Sequence, residues 1–417
     1  MQDRDLYARI LGLTDPWRVV DVQLDSGGGE IRVKVEPRAD AQFACPECGK
    51  RCAGYDARER SWRHLDTCQF KTILTAPVPR VRCADHGVLQ INVPWAAPGS
   101  NFTALMEAFV IDWLRSLATI RAVAKQMRLS WDEVDGIQQR AVARGLARRK
   151  PEALRRLGID ETSFQRRHEY VTVVTNHEGS RVLYVADDRK RESIDAFFVA
   201  QRPEHLATIE AVSMDMWKPY IASVRQFVPD ADRKLSFDKF HVVKHLVDAV
   251  DKVRRTEHRA LLAEGDLSLT GARFVFLTNT RNLSPTQVHT LDVLRSMSLK
   301  TVRAWGLKEA AANIWRYVRR SVATSAWLAW ASAAMRSRLD PLKRVARIIR
   351  EHLPGIVNGM ALRATNAGAE SVNARIQKIK SNACGFRNRD RFRNAILFHL
   401  GGLDLYPANA SATHTTS

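Results

Sequence analysis

No uninterrupted apolar stretch reaches the 18 residues a membrane helix needs, and the most apolar run, Ala326 to Met335, is too short. The start, Met1-Gln2-Asp3-Arg4-Asp5, lacks the cationic opening and apolar stretch of a secretory signal. Cysteine is scarce. Six occur in 417 residues, three of them close together near the start, which excludes a disulfide framework and suits metal ligation in a reducing compartment. Acidic charge is also in deficit: 45 Asp+Glu stand against 65 Lys+Arg, a formal +20. Such a surplus seeks a polyanion, and without a membrane span the expected partner is nucleic acid. The chain is not short of core material, with 45% hydrophobic and 26% charged residues, so it reads as folded protein expected in the cytoplasm.

What is present falls into segments of different character. Residues 1–100 read as a β-rich, zinc-binding domain. Val20, Val22 and Leu24, then Ile31, Val33 and Val35, alternate with polar residues on either side of Gly27-Gly28-Gly29, which predicts a hairpin. Cys45-Pro46-Glu47-Cys48-Gly49 and Cys83-Ala84-Asp85-His86-Gly87 are two ligand pairs, each with two intervening residues and a following glycine. That layout predicts a structural zinc ribbon with ligands Cys45, Cys48, Cys83 and His86. Cys52, Cys68 and His64 are alternative ligands without a paired motif, and Cys384 is expected in a core. Tyr55, Trp62 and Arg63 either touch DNA or pack against the hairpin.

Residues 101–150 turn helical. Leu105, Phe109, Trp113 and Leu117 keep helical spacing, and Ile120–Met127 and Trp131–Ala143 form two helices around a tight break. Ser130 with Glu133 predicts a capping box, Ala124 a close crossing, and Val134 and Ile137 the packing beneath. This is the pattern of a helix-turn-helix, whose second helix enters the major groove. Gln138, Gln139 and Arg140 are the expected base-edge contacts, with Arg144 and Arg148 on the phosphates.

From residue 151 the pattern is α/β. Strands are expected at Leu157–Ile159, Tyr170–Thr175, Arg181–Val185, Ile209–Met214 and Lys234–Phe237, with helices at Glu192–Gln201 and Pro219–Phe227, giving a mixed sheet over 151–242. Residues 243–362 read as an all-helical insertion with Trp305, Trp315, Trp327 and Trp330 in its core. Over 363–403 a final helix buries Val372, Ile376 and Ile379 and presents Glu370, Asn373 and Gln377 on the opposite face. Lys378, Lys380 and Arg387 belong to the most basic region and are expected on DNA; residues 404–417 are expected to be disordered.

Three acids punctuate this α/β part: Asp160 and Asp215 at the ends of β-type runs and Glu370 at a helix start. Taken singly each has an ordinary explanation in turn chemistry or the helix dipole. Together they suit hard divalent cations, Mg²⁺ or Mn²⁺, two of which could activate a water or 3′-hydroxyl and stabilise the leaving oxygen. Asp160 is the natural bridging ligand, and Asp215 and Glu370 complete the shells. Asp238 has nearly equal claim, while Glu161 points to the other strand face.

The run Gly158-Ile159-Asp160-Glu161-Thr162-Ser163-Phe164, with Met214-Asp215-Met216-Trp217, Phe237-Asp238-Lys239-Phe240-His241-Val242-Val243-Lys244, and Glu370-Ser371-Val372-Asn373 through Gly385-Phe386-Arg387-Asn388, resembles the ISL-three family of bacterial DDE transposases. The likeness covers nearly the whole chain. It implies an RNase H-like catalytic domain with a helical insertion before the last acid, and a triad on Asp160, Asp215 and Glu370. It further implies binding to the terminal inverted repeats of an insertion sequence, followed by strand cleavage and transfer to target DNA. The partner is double-stranded DNA at the nucleoid, and synapsis of two ends implies a homodimer or larger assembly. A transposase-derived regulator without catalysis would keep the N-terminal modules and lose a carboxylate. A nuclease or resolvase on this fold would not need two DNA-reading modules.

Overall fold

The computed structural model describes residues 3–116, 118–165, 169–362 and 367–408, and the chain divides into two compact units. Leu117, Asn366 and residues 409–417, to which the sequence reading gave roles, lie outside the described residues.

The first unit comprises residues 1–149 together with 403–417. After α1 (Asp3–Ile10), the predicted hairpin forms as β1 (Trp17–Asp25) and β2 (Glu30–Pro37), followed by β3 (Phe43–Ala44), β4 (Arg51–Thr67), β5 (Phe70–Cys83) and β6 (Gly87–Gln90). The sheet runs β1-β2-β5-β4-β3, with β6 also on β5 and only β2–β5 parallel. Its core is built on Trp17, Trp62 and Trp95, whose rings meet edge-on at 4.8 and 5.4 Å. Trp62 is therefore a core residue rather than a DNA contact, whereas Tyr55 stays exposed beneath the guanidinium groups of Arg80 and Arg82.

Three helices follow, α2 (Ala104–Arg115), α3 (Ile120–Met127) and α4 (Trp131–Ala147). The capping box at Ser130 and Glu133 is present, and Val134, Ile137 and Ala124 are buried as their spacing predicts. In α2 the large buried apolar residues are Met106, Val110, Ile111 and Leu114, while Phe109 and Trp113 are 40% exposed. The helix is apolar on more than one face, so helical spacing alone could not choose which face packs inward. The zinc-ribbon and helical segments pack together within one compact unit. Backbone bonds join Arg63 to Asn101 and Thr103, and Asp66 pairs with both Arg63 and Arg128.

The second unit spans 150–402. Its strands are β7 (Arg156–Gln165), β8 (Glu169–Asn176), β9 (Arg181–Ala186), β10 (Ala211–Met214) and β11 (Leu235–Phe237), in the order β9-β8-β7-β10-β11. β7 and β8 pair antiparallel, as do β8 and β9, and β10 is parallel to both β7 and β11. This mixed five-stranded order with helices between the strands is an RNase H-like α/β fold. Helices α5 (Arg191–Val199) and α6 (Pro203–Ala207) precede β10, and α7 (Lys218–Phe227) and α8 (Ala231–Lys234) precede β11.

Helices α9 (Lys239–Ala263) to α15 (Leu353–Ala361) make the helical block. It is not a separate domain. One apolar cluster runs from Ile159 and Met214 through Val250 to Trp327 and Ile356. Trp327 and Trp330 are buried in it and Trp305 and Trp315 pack against it. The block is closed back onto the sheet at β11: Gly355 faces the Phe237 ring without room for a Cβ, and a Cβ on Gly359 would sit 2.9 Å from the Phe237 carbonyl oxygen. Nearby, Asn358 donates to the carbonyls of Asp232 and Leu235 at 2.8 and 2.9 Å. The unit ends with α16 (Ala367–Asn382) and α17 (Arg389–Leu400).

Candidate active site and DNA-binding elements

The zinc knuckles close in space as their spacing predicts. The ligand atoms of Cys45, Cys48, Cys83 and His86 all lie within 4.8 Å of one another. A tetrahedron with ordinary Zn–S and Zn–N bonds has S···S edges of about 3.8 Å and S···N edges of about 3.6 Å. The observed edges are 3.7 Å for Cys48–Cys83, 3.6 Å for Cys83–His86 Nδ1 and 3.8 Å for Cys45–His86 Nδ1. The His86 contact draws the Cys83 thiol down to about 6, which favours the thiolate a metal requires. Gly49 and Gly87 take positive φ values of 71° and 72°, a turn that a Cβ would strain. Four protein ligands leave no open position, so the site fits structural zinc.

Cys52, Cys68 and His64 are not part of the cluster. His64 is buried, with Nδ1 2.9 Å from Thr103 Oγ1, the N-cap of α2. Cys384 is exposed rather than in a core. It lies at φ 55° in the turn after α16, where its own amide bonds to Ser381 and the Gly385 amide reaches back to Lys380.

The polar groups expected to read DNA along α4 are arranged differently. Gln138 is buried, and Gln139 donates to Asp135 at 2.8 Å. Arg140 grips the buried Glu107 carboxylate through Nε and Nη2 at 2.9 and 2.7 Å, and Arg144 reaches the same carboxylate at 3.4 Å. Arg144 also donates to the Leu405 carbonyl, and Arg148 to Asp404 and the Tyr406 carbonyl. Residues 404–408 are thus ordered against α2 and α4, with Leu405 buried and the Tyr406 hydroxyl donating to Asp112 at 2.6 Å. Sequence spacing misplaced Gln138, which lies on the inward face of α4, and gave no sign of Glu107, a buried acid on another helix that claims the arginines. The exposed groups nearer the turn, Arg121, Lys125 and Gln126, carried no signal beyond polarity.

In the second unit three aspartates share one level. Met214 pairs with Ile159 on β7 and with Phe237 on β11, so the next residues, Asp160, Asp215 and Asp238, align across three adjacent parallel strands. β7 does not end at Asp160, as the sequence pattern suggested, but continues to Gln165. β10 stops at Met214, and α16 lies along the rest of β7. Asn373 donates to Asp160 Oδ2 at 2.8 Å, Gln377 to Thr162 Oγ1 at 2.8 Å, and Lys380 to the Ser163 carbonyl at 2.9 Å. The polar face read from the sequence is the face that meets the strand. Lys380 is committed to that contact, while Lys378 and Arg387 are exposed.

Burial pushes the Asp160 carboxyl up to about 6, against the backbone bond from Glu161 and the nearby His241. A carboxylate in that position is short of positive charge, which a divalent cation would supply, so the oxygen donor set fits Mg²⁺ or Mn²⁺. His241 Nδ1 is 3.4 Å from Asp215 Oδ1, and Asp238 caps α9 by accepting from the Phe240 amide at 3.2 Å. Glu370 is exposed in the first turn of α16, one turn before Asn373 on the same face. Among the described residues the carboxylates of Asp160, Asp215 and Glu370 do not converge as tightly as the zinc ligands. Glu161 points away from them, accepting from Arg189 at 2.7 Å and the Tyr220 hydroxyl at 3.1 Å.

A transposase family of the ISL3 DDE type matches residues 157–396, from the second residue of β7 into α17. The chain belongs to the ISL3 transposases. Two further family descriptions match the N-terminal unit: a zinc finger of the IS204, IS1001, IS1096 and IS1165 transposases over residues 41–86, and the helix-turn-helix domain of transposase family ISL3 over 91–142. The chain is 29% identical over 418 aligned positions to the transposase for insertion sequence element IS1557 of Mycobacterium tuberculosis, in strains CDC 1551 and H37Rv, covering 93% of each chain. It is 26% identical to the transposase for IS1001 of Bordetella parapertussis, covering 88% of this chain and 90% of that one. The activity of this transposase is DNA transposition, and its helix-turn-helix and transposase domains bind DNA. Among the described residues no helix is long and apolar enough to cross a membrane.

Proposed function

We propose that the transposase cuts and rejoins DNA strands at the edge carrying Asp160, Asp215 and Glu370, with its N-terminal unit bound to the terminal inverted repeats of its element. The observation that carries this reading is the shared register of Ile159, Met214 and Phe237, which lines up Asp160 and Asp215 beside α16. Asp160 is rigid on the central strand, its two oxygens engaged by the Glu161 amide and by Asn373. Asp215 closes the adjacent strand and Glu370 enters from the first turn of α16. Divalent cations held by these carboxylates would neutralise phosphate charge and make an attacking water or 3′-hydroxyl more acidic. Bringing Glu370 up to the aspartates sets like charges together, a repulsion that a bound divalent cation would offset.

Asp238 is the structural alternative to Asp215 by register, but one of its oxygens caps α9 and the residue is 6% exposed. Asp215 is the more open of the two, so it is the better ligand. DNA contact in the N-terminal unit is assigned to Arg121, Lys125 and Gln126 of α3 and to Gln139 of α4, and in the catalytic unit to Lys378 and Arg387. Two element ends must be brought together, so the active species is a homodimer or larger assembly on DNA.

The test pairs an Mg²⁺-dependent cleavage and strand-transfer assay on an end-containing duplex with a gel shift. Asp160→Asn, Asp215→Asn and Glu370→Gln each abolish cleavage and leave end binding intact. Normal cleavage by Asp215→Asn together with an inactive Asp238→Asn would move the middle acid to Asp238.

A further inference from the structure

Trp217 stands two residues beyond Asp215 at the start of α7, and 41% of it is open to solvent. An indole left this exposed forgoes burial it could otherwise gain, yet it is not loose. Its Nε1 donates to the Arg189 carbonyl at 3.4 Å, and the Arg189 guanidinium lies 4.8 Å from its centroid. Arg189 is itself fixed: it donates to Glu161 at 2.7 Å and lies 5.3 Å from the Tyr170 ring. Glu161 also accepts from the Tyr220 hydroxyl, which is 2.7 Å from Thr172 Oγ1. A relay of side chains from the sheet interior therefore holds one aromatic surface in a set position beside the catalytic edge.

We propose that Trp217 stacks on a nucleobase unpaired next to the scissile phosphate. The inference rests on the strand-cleavage reading above. A base inside a duplex is already stacked on both faces, so an aromatic platform can take it only once it has left the helix. Stacking on an indole tolerates any base, which suits an enzyme whose flanking and target sequences differ from one insertion to the next. Arg189 covers one face of the indole, so a base would stack on the other. The preorganised relay means little ordering entropy is lost when the base arrives. Trp217 is thus a positioning residue for substrate, set in place by Glu161, the neighbour of Asp160.

The experiment measures cleavage by the full chain on two duplexes, one fully paired and one mismatched at the nucleotide beside the scissile phosphate. Trp217→Ala cuts the paired duplex about tenfold to a hundredfold more slowly, the worth of one base–aromatic stack, and recovers much of that deficit on the mismatched one. Trp217→Phe retains most activity, and gel shifts show unchanged end binding. If the alanine variant fails to fold, Trp217→Leu replaces it, keeping apolar bulk without a π face. Equal rates for wild type and the alanine or leucine variant on paired DNA overturn the inference, as does a deficit identical on both duplexes. Wild type inactive on both would overturn the cleavage reading and this inference with it; active wild type indifferent to Trp217 overturns only this one.

Discussion

The Asn373 side-chain amide donates to Asp160 Oδ2 at 2.8 Å, joining residues 213 positions apart and tying α16 to the central strand. This bond orients the carboxylate, while Glu370, one turn earlier, is exposed. Asn373→Leu is expected to cut strand cleavage about 10- to 100-fold and to raise the Mg²⁺ concentration for half-maximal rate, as loss of a ligand-orienting partner does. A titration of cleavage rate against Mg²⁺ checks it. An unchanged Mg²⁺ requirement would mean that Asp160 is oriented without Asn373.

Zinc removal acts on the other unit. Cys48→Ser, or chelation of the wild type, should unfold the two ligand knuckles and weaken end binding, because the knuckle after β3 is otherwise held to β4 by only the two pairs Phe43–Cys52 and Ala44–Arg51. Zinc content of about one equivalent per chain, measured by atomic absorption, and a weakened gel shift on chelation are the expected results. Undiminished binding in a zinc-free protein would contradict them.

Glu107 is 1% exposed and accepts from Ser100, Arg140 and Arg144. Glu107→Leu leaves two guanidinium groups facing an apolar pocket and should destabilise the N-terminal unit by about 3 kcal/mol, read from urea denaturation. Arg140→Ala should likewise lower stability while leaving the preference for one repeat sequence over another unchanged. A change in sequence preference instead would return Arg140 to the DNA surface.

Burial, aided by Arg63, pulls the His64 imidazole down to about 4. Its folded value lies below the unfolded one near 6.5, so the stability it contributes is complete above that pH and drains away as pH falls toward 4. Between pH 7 and pH 5 the loss amounts to about 2 kcal/mol. His64→Gln should remove this component. The difference between wild-type and variant denaturation midpoints at the two pH values isolates it from protonation of the zinc ligands, common to both proteins.

Much of the molecule was legible in one dimension. The paired knuckles named their four ligands because the geometry of a tetrahedral ion requires local Cys–x–x–Cys and Cys–x–x–His loops. The capping box at Ser130 and the apolar stripe Val372, Ile376, Ile379 were equally local, set by residues three and four apart. Less legible was anything settled by a distant partner. Glu107 reassigns Arg140 and Arg144, the segment ending at Tyr406 is ordered by contacts to α2 and α4, and Phe237 accepts Gly355 and Gly359 from a helix over a hundred residues later.

The sequence by itself determined the main helices and strands, the zinc ligands and the acids that invite catalysis, since these depend on periodicity, spacing and side-chain chemistry. Only the tertiary structure decided that Asp160, Asp215 and Asp238 stand level across three strands, that Asp238 caps α9, and that Glu161 reaches Trp217 through Arg189. The reason is physical: strand register and burial arise from long-range pairing, and a carboxylate's role follows from which neighbours that pairing brings to it.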